Sequence, residues 1–356
     1  MNDFARWVEK HLDVPYLDVS IDVDEPDFQP LLDEVAPGVD KSKLYHKRMT
    51  DGITNVVLKC QVDVPLDDHT LSSPFLIRIY GSATEMFIDR KQEMLNHKRL
   101  HAIGRAQPIF AVLKNGYAYG YCPGRPASLS DFSSPAISSH IAKSLGEIHR
   151  RVHVPAHEKP RMFSQIRSWL DNVPESYSTA EKTARLRKHV DMASLRKTLA
   201  HLEDVVCARD PETCFCHNDL LCHNVIIAHD SKGTDVQFID YEYGGVNYCA
   251  YDIANHFNEF AGLDVETIDY SRCPGEDFRR QWVTAYLHAR DDDATETHVN
   301  RLLKDISIFT HVSHLYWGAW ALVQAAVSEI DFDYLSYALV RLDQVPPVIQ
   351  DTAIKG

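Results

Sequence analysis

Cys216-His217-Asn218-Asp219-Leu220-Leu221-Cys222-His223-Asn224 opens the stretch on which the rest of this chain turns. Val225-Ile226-Ile227 follows directly, an apolar run that reads as a short strand. A second run, Val236-Gln237-Phe238-Ile239, delivers Asp240 at its end, and Tyr241-Glu242-Tyr243 follow. The stretch closes on Asp252-Ile253-Ala254-Asn255-His256-Phe257-Asn258-Glu259-Phe260.

Asp219 stands five residues before Asn224, the spacing of the phosphoryl-transfer loop H-R-D-x-x-x-x-N, and Asp240 falls where the Asp of D-F-G would. Phosphoryl transfer asks little covalent chemistry of a protein: it needs an aligned nucleophile and neutralised charge on the transferred group. Asp219 can orient a substrate hydroxyl and take its proton. Asn224 and Asp240 are hard oxygen donors suited to Mg²⁺. A tight loop between two paired strands can hold all three in one metal shell. The competing reading is a loop of turn-forming Asn and Asp, which H-N-D alone favours; Asn224 and the strand-borne Asp240 turn the balance towards function.

At 356 residues the chain is long for one core, so two lobes are expected. Net charge is −14, from 37 basic and 51 acidic residues, which argues against nucleic acid or an anionic membrane as the main partner. Residues 1–40 carry no basic-then-apolar leader and no run is long enough to span a bilayer, so a cytoplasmic protein without a membrane span is expected. Eight Cys without framework spacing read as reduced thiols. Cys214, Cys216, His217, Cys222 and His223 fall within ten residues. Zinc sites usually need a second paired cluster, and the sequence displays none, so the expectation is a buried strand on which Cys214 and Cys216 alternate with Phe215.

Residues 1–40 are acidic, with Pro15, Pro26, Pro30 and Pro37, and read as a loosely packed extension beyond a short helix near Phe4. Leu44–Met49 and Asn55–Val62 read as a hairpin around Thr50-Asp51-Gly52-Ile53-Thr54. In a kinase lobe such a tip covers the ATP phosphates. Phe75–Tyr80 is a third strand holding Arg78, a cation that is costly there unless paired. A kinase third strand carries a phosphate-holding Lys here, and Arg78 can fill that role with Glu93, or else Glu85, as partner. Strands over 107–112 and 117–121 complete five. Pro123-Gly124-Arg125-Pro126 marks the boundary, and the crossing segment 119–122, with Tyr121 and Cys122, is placed against adenine. Helices are expected from Pro135 with Ser134 as N-cap, over 161–171, 179–208 and 277–290, then over 296–327 and 332–343. The last two carry Tyr316, Trp317, Trp320, Phe332, Tyr334 and Tyr337. An aromatic stripe is usually core, but beside an acidic loop it can wall an ammonium by cation–π attraction.

With these residues in place the chain resembles the choline/ethanolamine kinase family, and within it the ethanolamine type. The resemblance rests on Phe215 to Leu221 with Asn224, on the run from Asp235 to Gly262, on Leu76-Ile77-Arg78-Ile79-Tyr80-Gly81 with Ile88-Asp89-Arg90, and on Ser313-His314-Leu315-Tyr316-Trp317-Gly318-Ala319-Trp320. It covers residues 40–345. It implies an α+β, protein-kinase-like two-lobed fold: a small antiparallel β-sheet N-lobe (41–122) and a larger, mainly helical C-lobe (123–356), after the acidic extension 1–40. It implies phosphorylation of an amino-alcohol by ATP with Mg²⁺, the first step of phospholipid head-group synthesis. Carried over, Asp219 is the general base and Asn224 and Asp240 hold Mg²⁺. Arg78 and Glu93 serve ATP, together with Asp51, Gly52, Ile53, Thr54 and Asn55 of the hairpin tip. Asp219, Glu242, Tyr243, Glu259, Trp317, Trp320 and Tyr337 meet the amino-alcohol. The tip has one Gly where many relatives carry a pair, and 119–122 departs from the usual hinge sequence.

Ethanolamine is the expected substrate, with choline, or both, as the alternative; a homodimer is left open. An aminoglycoside phosphotransferase shares the catalytic-loop logic but leaves the paired tryptophans and Asn255-His256-Phe257-Asn258-Glu259-Phe260 unexplained. A pseudokinase is disfavoured by Asp219, Asn224 and Asp240 together, and a protein kinase by the lack of an A-P-E signature.

Overall fold

The computed structural model describes residues 3–49, 55–66, 71–72, 74–81, 89–230, 233–328 and 330–346. Residues 1–40, expected as a loosely packed extension, instead supply two helices and a strand. Asp3–His11 forms α1, with Asp3 in its first turn and Lys10 and His11 in its last, charges that suit the helix dipole. Ala5, Val8 and Leu12 share one face and are buried. Tyr16–Leu17 (β1) pairs in parallel with Ile109–Leu113 (β5). Asn115 fastens the return, its amide donating to Ile21 O at 2.9 Å while its oxygen accepts the Ile21 N–H at 3.1 Å. Gln29–Val35 (α2) starts with Pro30 in its first turn and buries Leu31, Leu32 and Val35. The acidic average hid this, because the charges face outward and the apolar residues are spaced rather than contiguous.

Leu44–Met49 (β2), Asn55–Val62 (β3) and Phe75–Tyr80 (β4) have the expected bounds. With Gly116–Gly120 (β6) they make a sheet of order β1-β5-β6-β4-β3-β2. All its pairings are antiparallel except β1 with β5, so the structure adds one parallel strand to the five expected. One face of this sheet buries Leu58, Phe75, Ile77 and Ala118 with Leu31 and Leu32 of α2. Arg90–Ala102 (α3) is capped by Asp89, which accepts from the N–H of Lys91 and of Gln92. The hairpin tip 50–54 and Glu85 lie outside the described residues.

The chain divides into two units, 1–125 with 226–243, and 126–225 with 244–356. Val225–Asp230 (β9) and Gly233–Phe238 (β10) are hydrogen-bonded neighbours, and nearly all of this hairpin groups with the first unit. A single boundary at 123 does not capture that. Gly124 supplies a local reason. At φ 140° it takes a backbone conformation that side-chain-bearing residues avoid, and a Cβ there would stand 2.6 Å from both Ile226 Cγ2 and Ile227 O.

Past Arg125–Pro126 (β7), the second unit is mainly helical. Its helices are Leu129–Phe132 (α4), Pro135–Arg151 (α5), Met162–Asn172 (α6), Ala180–His189 (α7) and Met192–Arg209 (α8). Thr213–Cys216 (β8) then pairs antiparallel with Gly245–Tyr248 (β11). Cys249–Asn258 (α9), Glu276–Ala289 (α10), Glu296–Val327 (α11) and Tyr334–Leu342 (α12) complete the unit. Of the apolar stripe that the helical spacing predicts on α5, Ile137, Ile141, Leu145 and Ile148, the last three are buried and Ile137 is half-buried. Ser134 sits at the N-cap of α5, but its side chain makes no capping bond. The single helix expected over 179–208 is broken at Val190. Asp191 ends it and begins α8 by accepting from the N–H of Ala193 and of Ser194.

Candidate active site

β8 ends at Cys216, and the chain turns through His217, Asn218 and Asp219 before a single tight turn at Cys222–Asn224. Asn218 adopts φ 67°, a left-handed conformation that Asn tolerates better than most residues. Its side-chain oxygen accepts from the Asn247 amide at 2.8 Å. The amide of Asn224 donates to Asp219 O at 2.8 Å and to Asp219 Oδ2 at 3.1 Å. Asn224 therefore fixes the carboxylate expected to act as base and keeps its own carbonyl oxygen for another partner.

Helix α9 braces this loop from behind. Asp252, fully buried, accepts the N–H of His217 at 2.6 Å and of Asn218 at 2.7 Å, and bonds His149 Nε2 at 3.0 Å. Burial works against its charge, but the His149 bond and charge, with His217, hold its carboxyl below the usual range. Asn255 donates to Asn218 O at 3.2 Å, and His256 Nδ1 bonds Leu220 O at 3.1 Å. Sequence reasoning assigned none of these three a role. Their signal was available: at i, i+3 and i+4 they make a polar stripe on a helix buried along its whole length.

The aromatic residues of α11 and α12 lie in the same unit. Trp317 donates Nε1 to Asn255 Oδ1 at 2.8 Å, so the bracing helix also orients an indole. Trp317 and Trp320 meet edge to face, centroids 5.3 Å apart, and Trp320 meets Tyr334 at 5.6 Å. Phe332 contacts both Tyr334 and Tyr337. Burial raises the Tyr337 hydroxyl pKa; the Arg341 charge works against this and the charges of Glu259 and Asp219 add to it. Glu259 was expected as an acceptor for a substrate ammonium. Its Oε1 accepts from Arg341 Nη1 at 2.9 Å. Arg341 is 1% exposed and also donates to the Tyr337 hydroxyl at 3.2 Å and to Ser313 Oγ at 3.0 Å. Sequence reasoning missed Arg341 altogether.

In the first unit Arg78 sits mid-strand on β4, 5% exposed, and is paired as its cost requires. Its Nη1 lies 3.3 Å from Glu93 Oε1 and donates to Asp240 Oδ1 at 2.8 Å, while Nη2 donates to Glu242. Arg90 and the Tyr117 hydroxyl complete the set on Glu93, at 2.9 and 3.0 Å. Burial opposes the Arg78 charge, and Asp240, Glu93 and Glu242 more than offset it, so its pKa rises. Glu242, expected to offer oxygens to a substrate ammonium, is engaged by Arg78. Among the described residues Arg78 pairs with the carboxylates of Glu93, Asp240 and Glu242, and Arg90 with that of Glu93. Asp240, at φ 65° and with a side chain one-third exposed, is the least buried of the three. Its oxygens and the carbonyl of Asn224 are hard donors that fit Mg²⁺. Asn224 belongs to the second unit and Asp240 to the first. In the segment 119–122, Lys59 Nζ stands 3.7 Å from the Tyr121 ring centre, and Cys122 Sγ donates to Gln237 at 3.2 Å. Tyr243 is half-buried. Asp51 to Thr54 and the side chain of Asn55 fall outside the described residues.

A rigidly held Asp-x₄-Asn loop, a buried strand cation and a later Asp two residues past the end of β10 define a phosphotransferase of protein-kinase-like fold. A family model described as choline/ethanolamine kinase matches residues 46–345, and the chain belongs to that family. Ethanolamine kinase 1 of Mus musculus is 34% identical over 348 residues, 93% of each chain. Among solved structures, an ethanolamine kinase of Plasmodium vivax superposes with TM-score 0.76 at 26% identity, covering 88% of this chain and 85% of that one. A choline kinase of Cryptosporidium parvum has TM-score 0.71 at 22% identity, over 88% and 92%, a likeness of fold.

Proposed function

We propose that this protein transfers the γ-phosphoryl group of ATP to the hydroxyl of ethanolamine, giving phosphoethanolamine for phosphatidylethanolamine synthesis. The observation that carries the reading is Asp219, held by Asn224 in a loop that α9 braces. Relatives named ethanolamine kinase, at about a third identity over nine-tenths of the chain, support the choice of substrate.

In this reading Asp219 orients the substrate hydroxyl and accepts its proton as the oxygen attacks. Asn224 and Asp240 are the Mg²⁺ ligands, and the ion, when bound, neutralises charge on the ATP phosphates. Arg78, positioned by Glu93, serves the phosphates. The 50–55 tip and the backbone at Tyr121 and Cys122 serve the rest of the nucleotide. Trp317, Trp320, Tyr337 and Tyr243 wall the substrate's ammonium by cation–π attraction, with Glu259 supplying negative charge. The same reading puts the enzyme in the cytoplasm and leaves its oligomeric state open.

A primary ammonium needs oxygen acceptors that a quaternary one leaves unpaired, so ethanolamine should be preferred over choline by about tenfold in kcat/KM, roughly 1.4 kcal/mol. A coupled ADP-release assay with both substrates tests this. Equal or better turnover of choline moves the protein to the choline-kinase reading, and turnover of neither removes the proposal.

A further inference from the structure

Cys214 and Cys216 stand two apart on β8 and therefore project from the same face. Cys249 opens α9, where its N–H donates to Glu212 O at 3.0 Å. The three sulfurs meet: Cys214 Sγ lies 2.9 Å from Cys249 Sγ and 3.6 Å from Cys216 Sγ. His149 of α5 joins them. The ligating atoms of His149, Cys214 and Cys249 all lie within 4.8 Å of one another, and so do those of His149, Cys216 and Asp252. All are buried. Three thiols alone could be small core hydrophobes, and burial does hold the Cys214 thiol up to about 12. The histidine changes the reading. Its Nε2 is turned onto the Asp252 carboxylate at 3.0 Å, the outer partner that typically orients a metal-ligating imidazole. Its Nδ1 bonds the Tyr286 hydroxyl, at 2.8 Å, a neighbour a metal can displace.

We propose that His149, Cys214, Cys216 and Cys249 form a binding site for a thiophilic divalent cation, Zn²⁺. Three thiolates and one imidazole are a structural zinc donor set, and they are too soft for the Mg²⁺ of the kinase reaction. The second half of the cluster, which the sequence did not display, comes from residues 65 positions before Cys214 and 35 after it. Tetrahedral Zn–S bonds of about 2.3 Å place sulfurs about 3.7 Å apart. The Cys214–Cys216 pair is already at that spacing, and the Cys214–Cys249 pair opens by less than about 1 Å. Binding releases the three thiol protons and, because His149 is charged beside Asp252, the proton on its Nδ1 to solvent, and it leaves the ion and its three thiolates with one net negative charge. Arg290 answers that charge, with Nη1 3.4 Å from Cys249 Sγ. Cys249, Arg290 and Tyr286 also line a cavity of about 120 Å³. The ion would tie α5, β8 and α9 together directly behind Asp219.

The test is metal content, read independently of kinase activity. Wild-type protein, purified without a metal-affinity tag and equilibrated with Zn²⁺, should hold about one zinc per chain by mass spectrometry of the metal. Cys214→Ser/Cys249→Ser should lose it at least about tenfold. Cys207→Ser, an exposed thiol outside the cluster, should keep it. If the double variant does not fold, Co²⁺-loaded wild type decides: a thiolate-to-cobalt charge-transfer band supports the site. Folded wild type that holds no zinc and shows no such band overturns it. So does a Cys214–Cys249 disulfide found in the protein as isolated, which would make the pair a redox couple.

Discussion

Asp219, Glu259 and His256 each carry a prediction at the scale of the single residue. Asp219→Asn keeps shape and the Asn224 bond but removes a positioned base, so kcat should fall about 10²–10⁴-fold with ATP affinity retained. More than half the activity remaining would sink the assignment. Glu259 and Arg341 form a buried pair, and removing one partner strands the other. Glu259→Gln should cost about 3–5 kcal/mol in urea unfolding, with much of it recovered in Glu259→Gln/Arg341→Met. A double variant no more stable than the single one would show the pair is not what matters. His97 and His256 are held near pH 4 by burial, although each bonds a backbone carbonyl. The unfolded chain takes up its protons near 6.5, so the stability from these neutral rings is whole above that pH and is lost as pH falls towards 4. Each should remove about 2 kcal/mol by pH 5. His256 Nε2 is buried with no hydrogen-bond partner among the described residues, so its proton would have no acceptor there. Urea midpoints of His256→Gln and wild type at pH 7.5 and 5 check this. Equal pH slopes would show that His256 does not titrate in this window.

At the scale of the element, the catalytic loop owes its shape to α9. Asp252→Asn replaces an acceptor of two backbone N–H groups by an amide that can serve only one of them without a clash of donors. It should lower kcat by about tenfold or more and leave Mg²⁺ dependence unaltered. Wild-type kcat would mean the loop holds itself. The elements also show what sequence can carry. Leu44–Met49, Asn55–Val62, Phe75–Tyr80 and Glu296–Val327 were legible to the residue, because alternation, helical period and turn chemistry are local. So was the Asp219–Asn224 spacing, fixed within one loop. The Asp252 brace, the Glu259–Arg341 pair and the approach of Cys249 to Cys214 are contacts between residues 34 to 82 positions apart, and no local period records them. The break at Asp191 was local and was missed: an Asp within a charged helical run looks like one more solvated charge until its backbone partners are seen.

At the scale of the whole molecule, residues 1–40 belong to the core of the first unit. Ile21, Phe28, Leu31, Leu32 and Val35 are each at most 4% exposed. At about 1.5–3 kcal/mol per side chain their removal strips about 7–15 kcal/mol, comparable to the whole stability margin of an ordinary domain. Deleting residues 1–40 should therefore yield insoluble protein. A soluble truncation with wild-type kcat would return this segment to the loose extension its composition suggested.

Arg78 has one further consequence, for the order of events during synthesis. Its nearest carboxylate in sequence, Glu93, emerges from the ribosome soon after it, but Asp240 and Glu242 follow only 162 and 164 residues later. The first unit is made of chain segments translated at different times, 1–125 and then 226–243. A nascent chain arrested near residue 200 holds all six strands of this β-sheet and lacks two of the three counter-charges for the cation at its centre. Translation must pass residue 242 before that sheet can close over a neutralised guanidinium, so the earliest-made part of this enzyme is among the last to be finished.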